Sequence, residues 1–253
     1  INKNSGEINY FDKKEALKLM PERLSYGHKG TFGKAAVLGG SRGMTGAPLL
    51  TSKAALKSGL GLVYLLTAEE IEALTTSQQE EVLGIPLPSK RGVITADSLA
   101  KIVEFTEKVD LLAAGPGLSS APAVKKVISG ILKNTKTTLV LDADALNSIK
   151  SLKLLKDYPG ELILTPHPGE MSRLSKVSTK KIQQHRVTSA RNFSTENNCI
   201  LVLKGAGSII SVRDENIYIS PFSSPNLAVG GAGDVLAGMI GTLMARDVSP
   251  EMA

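Results

Sequence analysis

The segment with the most chemical content is Gly230-Gly231-Ala232-Gly233-Asp234. Beyond it, Leu236, Met239, Ile240, Leu243 and Met244 recur at the spacing of one helix face. The glycines therefore open a helix, where unpaired N–H groups and the positive dipole end attract anions. Without Cβ atoms they let the backbone come close to a phosphate. Asp234 in that place suits either of two roles. It can be a general base that takes a proton from a substrate hydroxyl while the amides hold charge on a moving phosphoryl group. It can equally be an N-cap after a glycine turn, and spacing alone does not separate the two.

Three further segments carry reactive or ligating types. Thr165-Pro166-His167-Pro168-Gly169-Glu170 is a stiff turn whose prolines fix the backbone around His167; the ring either meets a ligand or caps a helix whose first turn holds Glu170. Lys204-Gly205-Ala206-Gly207-Ser208 joins two expected strands. By itself it is a hairpin turn, and its amides and Lys204 also suit a nucleotide phosphate. Asp142 and Asp144 follow a strand; Asp142 is of the type that holds Mg2+, and Asp144 is expected to cap the helix at Ala145-Leu146. Gly39-Gly40-Ser41-Arg42-Gly43 fits the GxSxG elbow, with Asp142 or Asp144 and His167 following in α/β-hydrolase order. That alternative ranks well behind, because little chain precedes the elbow to build an oxyanion hole and Gly230–Asp234 stays unused. No GxxxxGK[ST], GxGxxG, HExxH or CxxC occurs, and His28, His167 and His185 lie far apart.

The elements that must position these residues alternate. Short apolar strands are expected at Ala35–Leu38, Leu111–Ala114, Thr138–Leu141, Glu161–Leu164 and Cys199–Leu203, with a further apolar run at Leu60–Leu66. Helices are expected through Leu49–Leu56, Asp97–Lys108, Ala121–Leu132 and Thr179–Asn197. Ser208–Val212 and Asn216–Ile219 form a hairpin around Asp214 and Glu215. Residues 1–30 are polar and irregular, and begin with Ile1 where an initiator Met would stand. Apolar strands alternating with helices predict one α/β domain over 1–253, a mostly parallel sheet with helices on both faces. The Gly-, Asp- and His-bearing segments all follow strands, on the rim where such sheets bind ligands. Met239 and Met244 are expected in the core, and Cys199 in packing.

Composition narrows the classes. The 253 residues are 42% apolar and 21% charged, which excludes disorder. The longest uncharged apolar stretch, Val235–Ala245, is too short to cross a bilayer. No secretory leader is visible, and a single cysteine fits a reducing cytoplasm. The net charge of +6 comes from dispersed lysines, in pairs such as Lys13-Lys14, Lys125-Lys126 and Lys180-Lys181. With no basic run interleaved with aromatics, nucleic-acid binding is not expected, while a phosphorylated small molecule is compatible.

Seven segments in order make the chain resemble the NAD(P)H-hydrate dehydratase family, of the ribokinase-like fold. They are His28-Lys29-Gly30-Thr31-Phe32-Gly33-Lys34, Gly39-Gly40-Ser41 with Thr45-Gly46-Ala47-Pro48, Gly115-Pro116-Gly117-Leu118, Leu141–Leu146, Thr165–Glu170, Lys204–Gly207 and Asn226–Gly238. The resemblance implies an α/β/α three-layer fold and a lyase. It would dehydrate (S)-NADH-hydrate or (S)-NADPH-hydrate, consuming ADP (or ATP) with Mg2+ and releasing AMP and phosphate. By the same resemblance Asp234 is the base, and Ala47, Gly117, His167 and Asp234 contact the hydrate. Lys204, Gly205, Ala206, Gly207, Ser208 and Gly233 contact the nucleotide, and Gly231, Ala232 and Gly233 form the anion hole. Relatives usually carry Thr at Ser208 and a Gly-Met-Ala-Thr run near Leu227-Ala228-Val229, and they continue past Ala253. The approach at Pro21-Glu22-Arg23 resembles fusions with an epimerase domain acting on the same hydrate. A homo-oligomer is expected. The runner-up is a ribokinase-like kinase of a vitamin precursor; a nucleotide-binding regulator comes after it.

Overall fold

The computed structural model describes residues 8–10, 17, 20–21, 25–213 and 216–246. Lys13-Lys14, Glu22-Arg23, the turn at Asp214-Glu215 and both chain ends lie outside the described residues. The strands are β1 (Ile8–Tyr10), β2 (Lys34–Leu38), β3 (Leu62–Ala68), β4 (Val82–Leu87), β5 (Ser89–Lys90), β6 (Val93–Ile94), β7 (Leu111–Ala114), β8 (Thr138–Leu141), β9 (Leu162–Leu164), β10 (Ile200–Leu203), β11 (Ile209–Val212) and β12 (Ile217–Ile219). The helices are α1 (Gly46–Lys57), α2 (Glu69–Thr76), α3 (Ser98–Thr106), α4 (Pro122–Asn134), α5 (Ala143–Ser148), α6 (Lys153–Lys156), α7 (Pro168–Ser175), α8 (Thr179–Gln184), α9 (Arg186–Glu196) and α10 (Ala232–Met244).

Ten strands form one sheet in the order β1-β12-β11-β10-β9-β8-β7-β2-β3-β4, parallel except around β11. The apolar strands alternate between two cores. Ala36, Leu38, Leu112, Leu139, Leu141 and Leu201 face one core, packed by α2 to α9. Ala35, Val37, Leu111, Val140, Ile163 and Ile200 face the other, which among the described residues is covered by α1 and α10. Helices thus lie on both faces. From β2 the chain winds outward through β3 and β4, then returns to place β7 on the other side of β2. That reversal opens a crevice beyond the carboxyl ends of β2 and β7.

Several elements differ from the sequence expectation. Residues 1–30 include β1, which pairs in parallel with β12. β4 contains Gly84 and Pro86, both poor strand formers, and is tolerated because it lies at the sheet edge. The helix expected over Thr179–Asn197 breaks at His185 (φ −135°, ψ 50°) into α8 and α9. Asp144 does not cap a helix: it lies in the first turn of α5 and accepts from the Ser119 N–H at 2.8 Å. Met239 is 46% exposed rather than core. The buried face of α10 is made by Ile240 together with Ala237, Gly238, Gly241 and Thr242, four small residues that a count of large apolar side chains passes over.

Cys199 is fully buried, and burial pushes its thiol up to about 12. It supplies no thiolate near neutrality. Iodoacetamide is expected to leave the native protein unmodified at pH 8 and to label it once unfolded, as read by intact mass. Fast labelling of the native protein would contradict this packing.

Candidate functional site

The site is assembled at the carboxyl ends of the parallel strands. After β2, the Gly40 N–H donates to the Pro116 carbonyl at 2.9 Å, joining the loops that follow β2 and β7. A Cβ at Gly117 would stand 3.4 Å from that of Ala47, in the first turn of α1, so these two positions adjoin. Ser41 is buried and its hydroxyl donates to the Gly117 carbonyl at 2.8 Å. That commitment removes it as the nucleophile of a hydrolase triad.

The next loops add charge. Asp142, 2% exposed, ends β8; its Oδ1 accepts from Lys204 Nζ at 2.6 Å and from the Thr165 hydroxyl at 2.7 Å. This buried pair ties β8, β9 and β10 together across the rim. A Cβ at Gly233 would lie 3.3 Å from Lys204 Nζ and 3.7 Å from Asp142 Oδ2, so the start of α10 rests against the pair. Gly231 is the N-cap of α10 in the left-handed region (φ 90°), a conformation that favours glycine. Asp234 is therefore not the cap. It stands in the first turn, and its pKa is pushed up to about 6 by burial and, secondarily, by the Asp142 carboxylate, with Lys204 opposing.

His167 is a helix cap and a rim residue at once. Its Nδ1 accepts from the Gly169 N–H at 3.0 Å and the Glu170 N–H at 3.3 Å, while the Glu170 carboxylate accepts from the His167 N–H at 2.9 Å. Nδ1 is thereby an acceptor, which places the proton of the neutral ring on Nε2. The side chain is 52% exposed, with Nε2 3.5 Å from Glu170 Oε1. Glu170 itself is held above the usual carboxylate range, mainly by burial. Lys204 to Ser208 is the turn between β10 and β11, as a hairpin reading requires, and it also brings Lys204 to the crevice.

The structure thus gathers Ala47 with Gly117, and Asp142, Lys204, Gly233 and Asp234 with one another. The segment His28–Lys34 stands apart. Its 3₁₀ turn at Lys29–Phe32 precedes β2, on the opposite rim, where a Cβ at Gly61 would overlap the Lys29 carbonyl and one at Gly33 the Ala245 carbonyl. It closes the far end of the sheet. Sequence reasoning missed Glu170 as the brace of His167, although the Pro-His-Pro-Gly-Glu spacing of a capping box was there to be found. Among the described residues no three His, Cys, Asp or Glu side chains converge as a metal cluster, and no helix is long and apolar enough to cross a membrane.

Comparison with known proteins bears on the family and the fold. The family model described as NAD(P)H-hydrate dehydratase matches residues 35–253. The chain is 38% identical over 236 residues to the bifunctional NAD(P)H-hydrate repair enzyme Nnr of Moorella thermoacetica, covering 92% of this chain but 44% of that protein. The chain thus spans somewhat under half the length of that relative. It is 36% identical over 230 residues to the ADP-dependent (S)-NAD(P)H-hydrate dehydratase of Neisseria meningitidis, covering 89% of this chain and 74% of that one. In three dimensions it superposes with TM-score 0.81 and 30% identity on the ADP/ATP-dependent NAD(P)H-hydrate dehydratase of Bacillus subtilis co-crystallized with ATP/Mg2+, covering 96% and 83% of the two chains. The sheet and its helices have the ribokinase-like arrangement. With its matched residues running through every strand and helix of the site, the chain belongs to the NAD(P)H-hydrate dehydratase family.

Proposed function

We propose that this chain dehydrates (S)-NAD(P)H-hydrate to NAD(P)H at the expense of ADP, releasing AMP and phosphate. The observation that carries the reading is Asp234, half-buried with a raised pKa in the first turn of α10, beside backbone amides and the Asp142–Lys204 pair. At neutral pH it is ionised, yet a better base than a solvated aspartate. It takes the proton from the C6 hydroxyl as that oxygen attacks the terminal phosphorus of ADP and the bond to AMP breaks. The amides of Gly231, Ala232 and Gly233 hold the charge that builds on the transferring group. Phosphate then leaves C6 in place of hydroxide, a far poorer leaving group, and loss of the neighbouring C5 proton restores the ring double bond.

In this reading Ala47, Gly117 and His167 contact the hydrate, His167 through its Nε2–H. Lys204, Gly205, Ala206, Gly207, Ser208 and Gly233 contact the nucleotide. Mg2+ fits as an ion held chiefly by phosphates and water, since Asp142 Oδ1 is already taken by Lys204 and Thr165 and only Oδ2 is left to face it. Bound there, Mg2+ would neutralise phosphate charge. The support for ADP and Mg2+ is what the Neisseria and Bacillus proteins are named or crystallized with. An epimerase acting on the same hydrate, in a longer chain or a separate one, is the partner that the bifunctional relative suggests.

Purified protein mixed with the hydrate, ADP and Mg2+ is expected to restore the near-ultraviolet absorbance of the reduced nicotinamide, with AMP and phosphate formed in equal amounts. A stable phosphorylated alcohol instead would identify a small-molecule kinase. No recovery with either ADP or ATP would overturn the dehydratase reading.

A further inference from the structure

Arg186 lies outside every motif that pointed to the site, yet its side chain reaches the nucleotide turn. It opens α9 directly after the break at His185. Its Nη2 donates to the carbonyls of Leu203 at 3.1 Å, Gly207 at 3.3 Å and Lys204 at 3.5 Å, while Nη1 donates to Gln183 Oε1 at 2.8 Å. One planar guanidinium thus joins both ends of the turn between β10 and β11, a geometry for which a point-charge ammonium has no equivalent. Burial lowers the Arg186 pKa from its usual value, a desolvation cost that the three carbonyls offset.

The consequence for the turn follows from the planar trans peptide, in which C=O and the next N–H point in opposite directions. Where the Lys204 and Gly207 carbonyls turn toward Arg186, the Gly205 and Ser208 N–H groups turn away from it. Among the described residues, no hydrogen bond in the structure takes either N–H. The Lys204 side chain leaves the same turn for Asp142 and the start of α10. A Cβ at Gly205 (φ 147°) would stand 2.9 Å from Arg186 Nη1, so a side chain there would displace the guanidinium. The guanidinium fills the space under the turn and fixes which way its dipoles point.

We propose that Arg186 is a positioning residue for the adenine nucleotide: it aligns the 204–208 turn so that its N–H groups and Lys204 receive the phosphates of ADP. This rests on the reading of that turn as the nucleotide site. The test is calorimetric ADP binding to the wild type, Arg186→Ala and Arg186→Lys, with KM for ADP and for the hydrate and the melting temperature of each. Arg186→Ala is expected to weaken ADP at least tenfold, to leave the hydrate KM within about twofold, and to regain ADP affinity when guanidinium ion is added at low millimolar concentration. Arg186→Lys is expected to fold and to remain weak for ADP, which keeps the test decisive should the alanine variant not fold. ADP affinity within about twofold of wild type in both variants overturns the proposal. So does a loss shared equally by the hydrate, or one that guanidinium does not relieve. Failure of the wild type to bind ADP would instead remove the nucleotide reading itself, and this inference with it.

Discussion

Asp234→Asn is expected to lower turnover by about 10²–10⁴-fold while leaving ADP binding close to that of the wild type. The amide keeps the size of the side chain and its place in the first turn of α10, but it cannot take a proton. The pH dependence gives a second readout. Asp234 must be ionised to act, and its pKa stands near 6 rather than at the 3.8 of a free aspartate. The wild-type rate should therefore fall as pH drops through about 6, approaching a tenfold loss per unit below it. The variant should lack that limb. Because the Asp142 carboxylate contributes to the upward shift, Asp142→Asn should move the limb to lower pH. Full activity in Asp234→Asn, or an unchanged acid limb, would place the base elsewhere.

The second large effect is expected from Lys204→Met, which strands the Asp142 charge. The pair is buried, with Asp142 3% and Lys204 19% exposed at the side chain. Removing one member of such a pair costs about 3 kcal/mol or more, because the other charge is left without its partner. For a domain of this size that is on the order of 6–12 °C in melting temperature. Adding Asp142→Asn should return most of the stability but none of the activity, since the amide needs no counter-charge while the nucleotide still lacks its lysine. A double variant as unstable as Lys204→Met alone would show that the lysine stabilises by packing instead.

Much of this was legible because the chemistry and the folding signals coincide. The glycines before Asp234 mark a helix start and are of the type that suits an anion, and the apolar strands at Ala35–Leu38 and Leu111–Ala114 are continuous because both their faces are buried. What escaped the sequence depends on position in three dimensions. β4 tolerates Pro86 only at a sheet edge, which one segment cannot announce. The break at His185 falls within a continuous helical pattern, and Arg186 is then satisfied by carbonyls 17 to 21 residues away. Asp144 carries the signature of a cap, but Asp142 occupies the cap position and the Asp144 side chain finds the Ser119 amide instead. Asp234 is half-buried beside Asp142, and that burial first, with the neighbouring carboxylate second, sets its basicity rather than its place in the chain.

The packing of α1 against α10 has a mechanical consequence. Both helices begin at the crevice, one with Ala47 and the other with the amides beside Asp234, and they meet where a Cβ at Gly238 would overlap the Thr51 carbonyl. The Thr242 hydroxyl bonds the Ala55 carbonyl at 2.9 Å one turn further on. The starts of the two helices are thus arms of one pair of tongs, pinned where one backbone meets the other with no side chain between them. A methyl group at that pivot would spread the arms, so the spacing of the two helix starts is governed from a residue that stands at neither of them.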